Sequence, residues 1–245
     1  TTQACLLYCR LASAGVPMCG FMLAEPGGVY RLYSPEDALA FPHWGPETYE
    51  QHCLNPSALA ISQLIKNKSH TFDPATRLLL HTAAHRAAWE EATQVALSQG
   101  LTVIATRNWI SALAYQGYGD GVDKKLIETL TRDFVGERYL TPDATLVISY
   151  DDENDRMRRI TERGEAMSVY EKKSGDFQQR VNSGYRDAAK QHGLEIIDAS
   201  GSIDDVHQRI WHCVAPIFNF KKHQFPIYNM PTKTQKDHQT HKGDS

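Results

Sequence analysis

Three short apolar runs, LTVIA (Leu101 to Ala105), ATLVISY (Ala144 to Tyr150) and LEIIDA (Leu194 to Ala199), alternate with long stretches of helical periodicity. This alternation constrains the fold more than any other feature of the chain. A strand covered on both faces shows as a near-continuous apolar run, and two such strands can lie parallel only if a helix-sized crossover separates them. MCGFMLA (Met18 to Ala24), bounded by Pro17 and by EPGG, predicts a further buried strand. The intervening segments supply the crossovers. TTQACLLYCRLASAGVP predicts a helix over 2–14, with Ala4, Leu7, Tyr8, Leu11 and Ala14 at helical spacing and Gly15 and Pro17 as the stop. Further helices are expected from Pro74 to Leu97, stopping at Gly100, from about Asp123 to Val135, over FQQRVNSGYRDAAKQ before Gly193, and over SIDDVHQRIWHCV. The pattern predicts an α/β fold with a mostly parallel sheet and helices on both faces.

A chain of 245 residues with 41% hydrophobic content suffices for one sizeable domain. Its body is expected over residues 1–213. Residues 29–73, rich in Pro and aromatics, are expected as an insertion or lid-like segment, and 219–245 as a polar, flexible tail. The formal net charge of -3 gives no global attraction to nucleic acid or anionic membrane, so a small partner is expected and nucleic acid is not. No run approaches the roughly 18 apolar residues of a membrane span. Five scattered cysteines without a C-x-x-C pair suit reduced thiols in a cytoplasmic protein, Cys5 and Cys9 being small buried apolar groups on one helix face. His81 and His85, spaced i, i+4 in HTAAH, lack a third ligand and are expected on a helix surface.

In open parallel sheets, ligands gather at the C-terminal ends of strands. Glu25 there lies beside Pro-Gly-Gly, a carboxylate able to meet magnesium or a substrate hydroxyl. Arg107 follows LTVIA and offers a fork of donors to phosphate, and Arg86 on the preceding helix is expected to reach the same cleft. Tyr115, Gln116 and Gly117 combine a planar ring, a base- or sugar-reading amide and close backbone approach. The basic run at Arg156, Arg158, Arg159 and Arg163 reads as a solvated helix face or a phosphate clamp.

The order EPGG, AAHR, T-R-N, AYQGYGDGVD, PDATLVIS, RGE, DFQQRVNSGY and IDASGSIDDVHQRI resembles thymidylate kinase, of the P-loop nucleoside monophosphate kinases, from Thr1 to about Trp211. The resemblance implies a three-layer α/β/α fold and transfer of the ATP γ-phosphate to dTMP, with Mg2+ present and a homodimer as the assembly. It aligns Thr1 with the Walker A residue that binds magnesium and Thr2 with the start of the phosphate-cradling helix. A strand and GxxxxGK are then expected upstream, the strand lying centrally in the sheet. Arg107 is implied to hold the acceptor monophosphate, and Arg86 to reach the same nucleotide. Tyr115 and Gln116 are implied to pack on its sugar and base, and Glu25 to act in the EPGG loop and at the metal. Arg156, Arg159 and Arg163 would serve the ATP lid over 152–176.

The chain departs from the family pattern at four of these places. Thr106 stands where the family has Asp, Ala24 where it has Arg, and Val169 where it has a lid Arg. Thr82 falls where an aromatic ring stacks on thymine. A pseudokinase that binds a nucleotide without turnover, or a kinase for another nucleoside monophosphate, is the alternative expectation. An RNA-binding module based on the basic tail is a third.

Overall fold

The computed structural model describes residues 2–22, 29–32, 34–43, 46–67, 69–150, 153–162 and 173–220. Thr1, Glu25 and Arg163, residues 152 and 163–172 of the expected lid, among them Val169, and also Ala24 and the tail after Phe220 lie outside the described residues.

Helix α1 (Thr2–Ser13) ends where expected, with Gly15 at a φ of 82° and the Val16 amide donating to the Leu11 carbonyl at 3.1 Å. That left-handed step returns the chain into β1 (Met18–Met22), which leads on to β2 (Val29–Arg31). Helices α2 (Pro35–Ala40), α3 (Pro46–His52) and α4 (Pro56–Lys66) follow. Asp73 caps α5 (Pro74–Ala88) by accepting from the Ala75 and Thr76 amides, with Pro74 pre-set for the first turn. The expected single helix to Leu97 is instead broken by a π-turn, Trp89–Thr93, before α6 (Gln94–Ser98) and the stop at Gly100, φ 74°.

Strand β3 (Thr102–Ala105) leads into α7 (Trp109–Ala112) and a second π-turn, Leu113–Gly119. Asp123 caps α8 (Lys124–Leu130), a third π-turn spans Thr131–Val135, and α9 (Glu137–Leu140) precedes β4 (Leu146–Ser149). The remainder is α10 (Glu153–Glu162), α11 (Gly175–Gln191), β5 (Glu195–Asp198) and α12 (Ile203–Val214). Helix α12 starts with a capping box in which Ser202 and Asp205 satisfy each other's backbone amides.

The described strands form two sheets, β2-β1-β3 and β4-β5. Strands β1 and β3 are parallel, with Phe21 opposite Ile104, as are β4 and β5, with Val147 opposite Ile196. Strand β2 departs from the expected parallel pattern and lies antiparallel to β1, Phe21 facing Tyr30. Only six residues separate them, far fewer than the dozen or more that a parallel crossover requires.

Helix α1 lies between two apolar clusters. Cys5, Tyr8 and Cys9 pack with Tyr30, Leu32 and Phe41, where the rings of Tyr30, Phe41 and Tyr49 meet edge to face. Leu7 and Leu11 pack with Ile197, Val206, Ile210 and Trp211. Arg10, only 2% exposed, lays its guanidinium 4.1 Å over the Trp211 ring. The third cluster joins Val29, Ala58, Leu78, Trp89, Trp109, Ile127 and Tyr139. Residues 29–73, expected as an insertion or lid, therefore contribute a strand and buried side chains to the packed body.

Candidate active site

The site forms where β3 ends. Asn108 accepts from the Ile110 amide at 3.0 Å and caps α7, so the chain turns sharply and Arg107 stands just before the helix, partly exposed at the mouth of a cleft. The π-turn after α7 then carries Tyr115 and Gln116 back over that cleft. The Arg107 guanidinium lies 5.0 Å from the centre of the Tyr115 ring, a cation held against a π-face. Tyr115 is fixed from behind by Tyr185, edge to face at 6.1 Å, and by Phe177 at 6.4 Å, both on α11. Gln116 is 2% exposed.

Arg107, Asn108, Ser111, Ala112, Tyr115 and Gln116 line a narrow open cleft together with His81 and His85 of α5. Three expected residues, Arg107, Tyr115 and Gln116, thus come together. Two do not join them in its lining. Arg86 turns its guanidinium to the Phe134 carbonyl and to Glu90 at 3.4 Å. Thr82 donates its hydroxyl to the Leu78 carbonyl at 3.0 Å, within its own helix. The expected convergence of Arg86 with Arg107 is therefore not seen, because Arg86 sits on the face of α5 that meets the third π-turn.

The two histidines correct the expectation of a helix surface. His81 is 5% exposed, and burial followed by the nearby His85, Arg77, Arg107 and Lys66 lowers its pKa to about 3. His85 is partly buried, its Nδ1 2.8 Å from the Tyr139 hydroxyl, and burial brings it down to about 4. Burial pushes the Tyr139 phenol upward and keeps it protonated. Periodicity placed both histidines on one helix face but could not say which face meets protein. Ser111, also missed, accepts from the Tyr185 hydroxyl at 2.9 Å.

Away from this cleft, Arg159 of α10 donates to the Gly201 carbonyl in the β5–α12 loop and lies 5.9 Å from the Tyr150 ring. Arg156 lies on the same helix, its guanidinium 3.6 Å from the Met157 sulfur. Thr2 is the first residue of α1. At the end of β3, Thr106 and Arg107 present a hydroxyl and a cation, not a magnesium donor set. Among the described residues no cluster of three or more His, Cys, Asp or Glu is placed to hold a metal ion.

An arginine stacked on a tyrosine at a parallel strand's C-terminal end, with a buried amide beside it, is an arrangement chemically suited to a phosphate-bearing ligand in an α/β fold. Residues 55–210 match the family described as thymidylate kinase. A thymidylate kinase of Pelotomaculum thermopropionicum is 33% identical over 209 residues, 84% of this chain and 83% of that protein. One of Syntrophotalea carbinolica is 31% identical over 163 residues, 64% of this chain and 74% of that protein. The crystal structure of thymidylate kinase from Ehrlichia chaffeensis aligns with 63% of this chain and 75% of its own at 24% identity and a TM-score of 0.48. The chain belongs to the thymidylate kinase family, and with it to the P-loop kinases of the α/β class.

Proposed function

We propose that the cleft at the end of β3 is the acceptor site of a dTMP kinase, in which Arg107 holds the monophosphate while Tyr115 and Gln116 flank the sugar and base. Family membership assigns ATP as phosphate donor and dTMP as acceptor, with dTDP as product. The observation that carries the residue roles is the Arg107 guanidinium stacked on Tyr115 in the cleft that Gln116 also lines. Phosphoryl transfer asks little covalent chemistry of the protein, so these side chains act by positioning the acceptor oxygen and neutralising charge.

Of the remaining expected roles, Arg156 and Arg159 lie on α10, in keeping with contacts to the donor nucleotide. Arg86, tied to Phe134, supports the cleft wall in this reading. Mg2+ is proposed to arrive with ATP, and Thr1 and Glu25, its expected contacts, lie outside the described residues. No described helix is long and apolar enough to cross a membrane, and Cys5, Cys9 and Cys53 are free thiols, in keeping with a reducing cytoplasmic setting. A homodimer is the assembly that goes with the reading, and sedimentation at two concentrations tests it.

The functional test is a coupled ADP-release assay with dTMP, dUMP, CMP and AMP as acceptors, run beside calorimetric titration of dTMP. The reading expects dTMP to be the preferred acceptor and to bind without ATP. An absence of both dTMP binding and dTMP-dependent ADP release would overturn it.

A further inference from the structure

Helix α5 lines the acceptor cleft with two histidines whose side chains are held very differently. The His85 ring is satisfied at Nδ1 by the Tyr139 hydroxyl and lies tilted against the Tyr139 ring at 5.5 Å, so its polar group already has a protein partner. His81, one turn earlier, is 5% exposed, and its Nε2 is fully buried with no hydrogen-bond partner among the described residues. It is the one side-chain atom in the cleft lining with that property among those residues. A buried polar atom without a partner costs roughly 1–3 kcal/mol, a cost that a folded protein retains where a ligand later satisfies the group.

The charges around His81 narrow what that ligand atom is. Those that act on it, from His85, Arg77, Arg107 and Lys66, are all cationic when ionised and together with burial keep the imidazole neutral. A neutral imidazole offers one lone pair or one N–H at Nε2 and adds little to the hold on a phosphate dianion, for which Arg107 already stands in the cleft. It suits a neutral heteroaromatic edge. A pyrimidine with alternating carbonyl and imino groups presents both an acceptor and a donor, so either imidazole tautomer finds a match. Thr82, where the resemblance implied a stacking ring, is turned into its own helix, leaving His81 as the α5 side chain in the cleft lining with a buried, unpartnered polar atom among the described residues.

We infer that His81 is a base-binding residue of the acceptor site, its Nε2 hydrogen-bonding the base edge of the bound pyrimidine nucleotide. This rests on the dTMP kinase reading. The test compares His81→Leu, apolar and close in volume, with His81→Gln, which keeps a polar terminus near the Nε2 position. Each is titrated calorimetrically with dTMP and with thymidine, and melted without ligand. H81L is expected to weaken both ligands by about tenfold, the loss of one hydrogen bond. H81Q is expected to bind within about threefold of the unchanged protein, and H81L to melt no lower than it, because an unsatisfied buried group has been removed.

In turnover, H81L is expected to raise KM for dTMP with kcat nearly unchanged. Undiminished dTMP binding by H81L would overturn the inference. So would a loss confined to dTMP and absent for thymidine, which would move the contact to the phosphate, or equal losses in H81L and H81Q with lowered melting of both, which would mark a structural role. If the unchanged protein binds neither ligand, the dTMP kinase reading itself fails, and the inference falls with it.

Discussion

Gly184 of α11 packs directly on the ring of Tyr118, so closely that a Cβ at this position would lie 2.7 Å from the ring. A second contact of the same kind lies on the other side of the interface, where a Cβ on Gly119 would meet the Phe177 ring at 2.6 Å. Two glycines, one on each partner, therefore let α11 approach the π-turn that carries Tyr115 and Gln116. Arg180 adds donors to the Tyr118 and Gly119 carbonyls at 3.3 and 2.9 Å.

Gly184→Ala and Gly119→Ala are each expected to destabilise the fold by about 1–3 kcal/mol through overpacking against rigid rings. They are also expected to raise KM for dTMP, because the π-turn must shift. Thermal melts and steady-state kinetics on the two variants check this. Unchanged melting would mean that the rings move aside freely.

Arg107→Ala is expected to lower kcat/KM for dTMP by about 10²–10³, the scale of losing a preorganised charge contact in the transition state. Arg107→Lys should recover part of it, since an ammonium keeps the charge but not the fork. Arg86, whose guanidinium is held by Phe134 and Glu90, is expected to cost less than tenfold when changed to Ala. Kinetics that rank Arg86→Ala with Arg107→Ala would contradict that placement.

Two buried histidines and one partly buried make the fold sensitive to acid. His81 is lowered to about 3, His85 to about 4 and His207 to about 4, in each case mainly by burial, against 6.5 for the ordinary side chain. The unfolded chain takes up protons that the folded one refuses, so stability is full above about pH 6.5. It falls as the pH drops toward 4, by roughly 1.4 kcal/mol per pH unit for each such group. Urea midpoints at pH 7.5 and 5.0 should show the loss. His207→Leu should reduce it, since His207 is fully buried with both ring nitrogens unpaired among the described residues.

The Cys5 and Cys9 thiols, buried on α1, are pushed up to about 11 and about 12, burial being the main cause. Neither is expected to react with an aromatic disulfide reagent in the native protein at pH 8, and both should react on unfolding. Titration of thiols before and after denaturant reads this directly.

Much of the site was legible because its chemistry is local. Asn108 caps α7 two residues from Ile110, so the position of Arg107 at a strand-to-helix turn follows from a few adjacent residues. Tyr115 and Gln116 follow at fixed spacing on the same continuous segment. Arg86 and Thr82 were harder, because on a helix flanked by protein on several sides the period gives relative angles and not the absolute face. His81 and His85 were misjudged for the same reason. The three π-turns have no period of their own to reveal them, each adding one residue to a helical turn where packing permits.

The sequence alone determined the helices, their stops at Gly15, Gly100 and Gly193, the apolar strands, the mostly parallel direction of the strands, and the family resemblance. These are effects of side-chain period, capping and backbone conformation, decided within a few residues. Tertiary structure decided that Val29–Arg31 runs antiparallel and that Arg86 turns away from the cleft. It also decided that His81 stands buried there with an unsatisfied nitrogen while His85 finds Tyr139. Those outcomes depend on which surfaces meet across dozens of residues, and burial acts on the surface that is covered, not on its place in the chain.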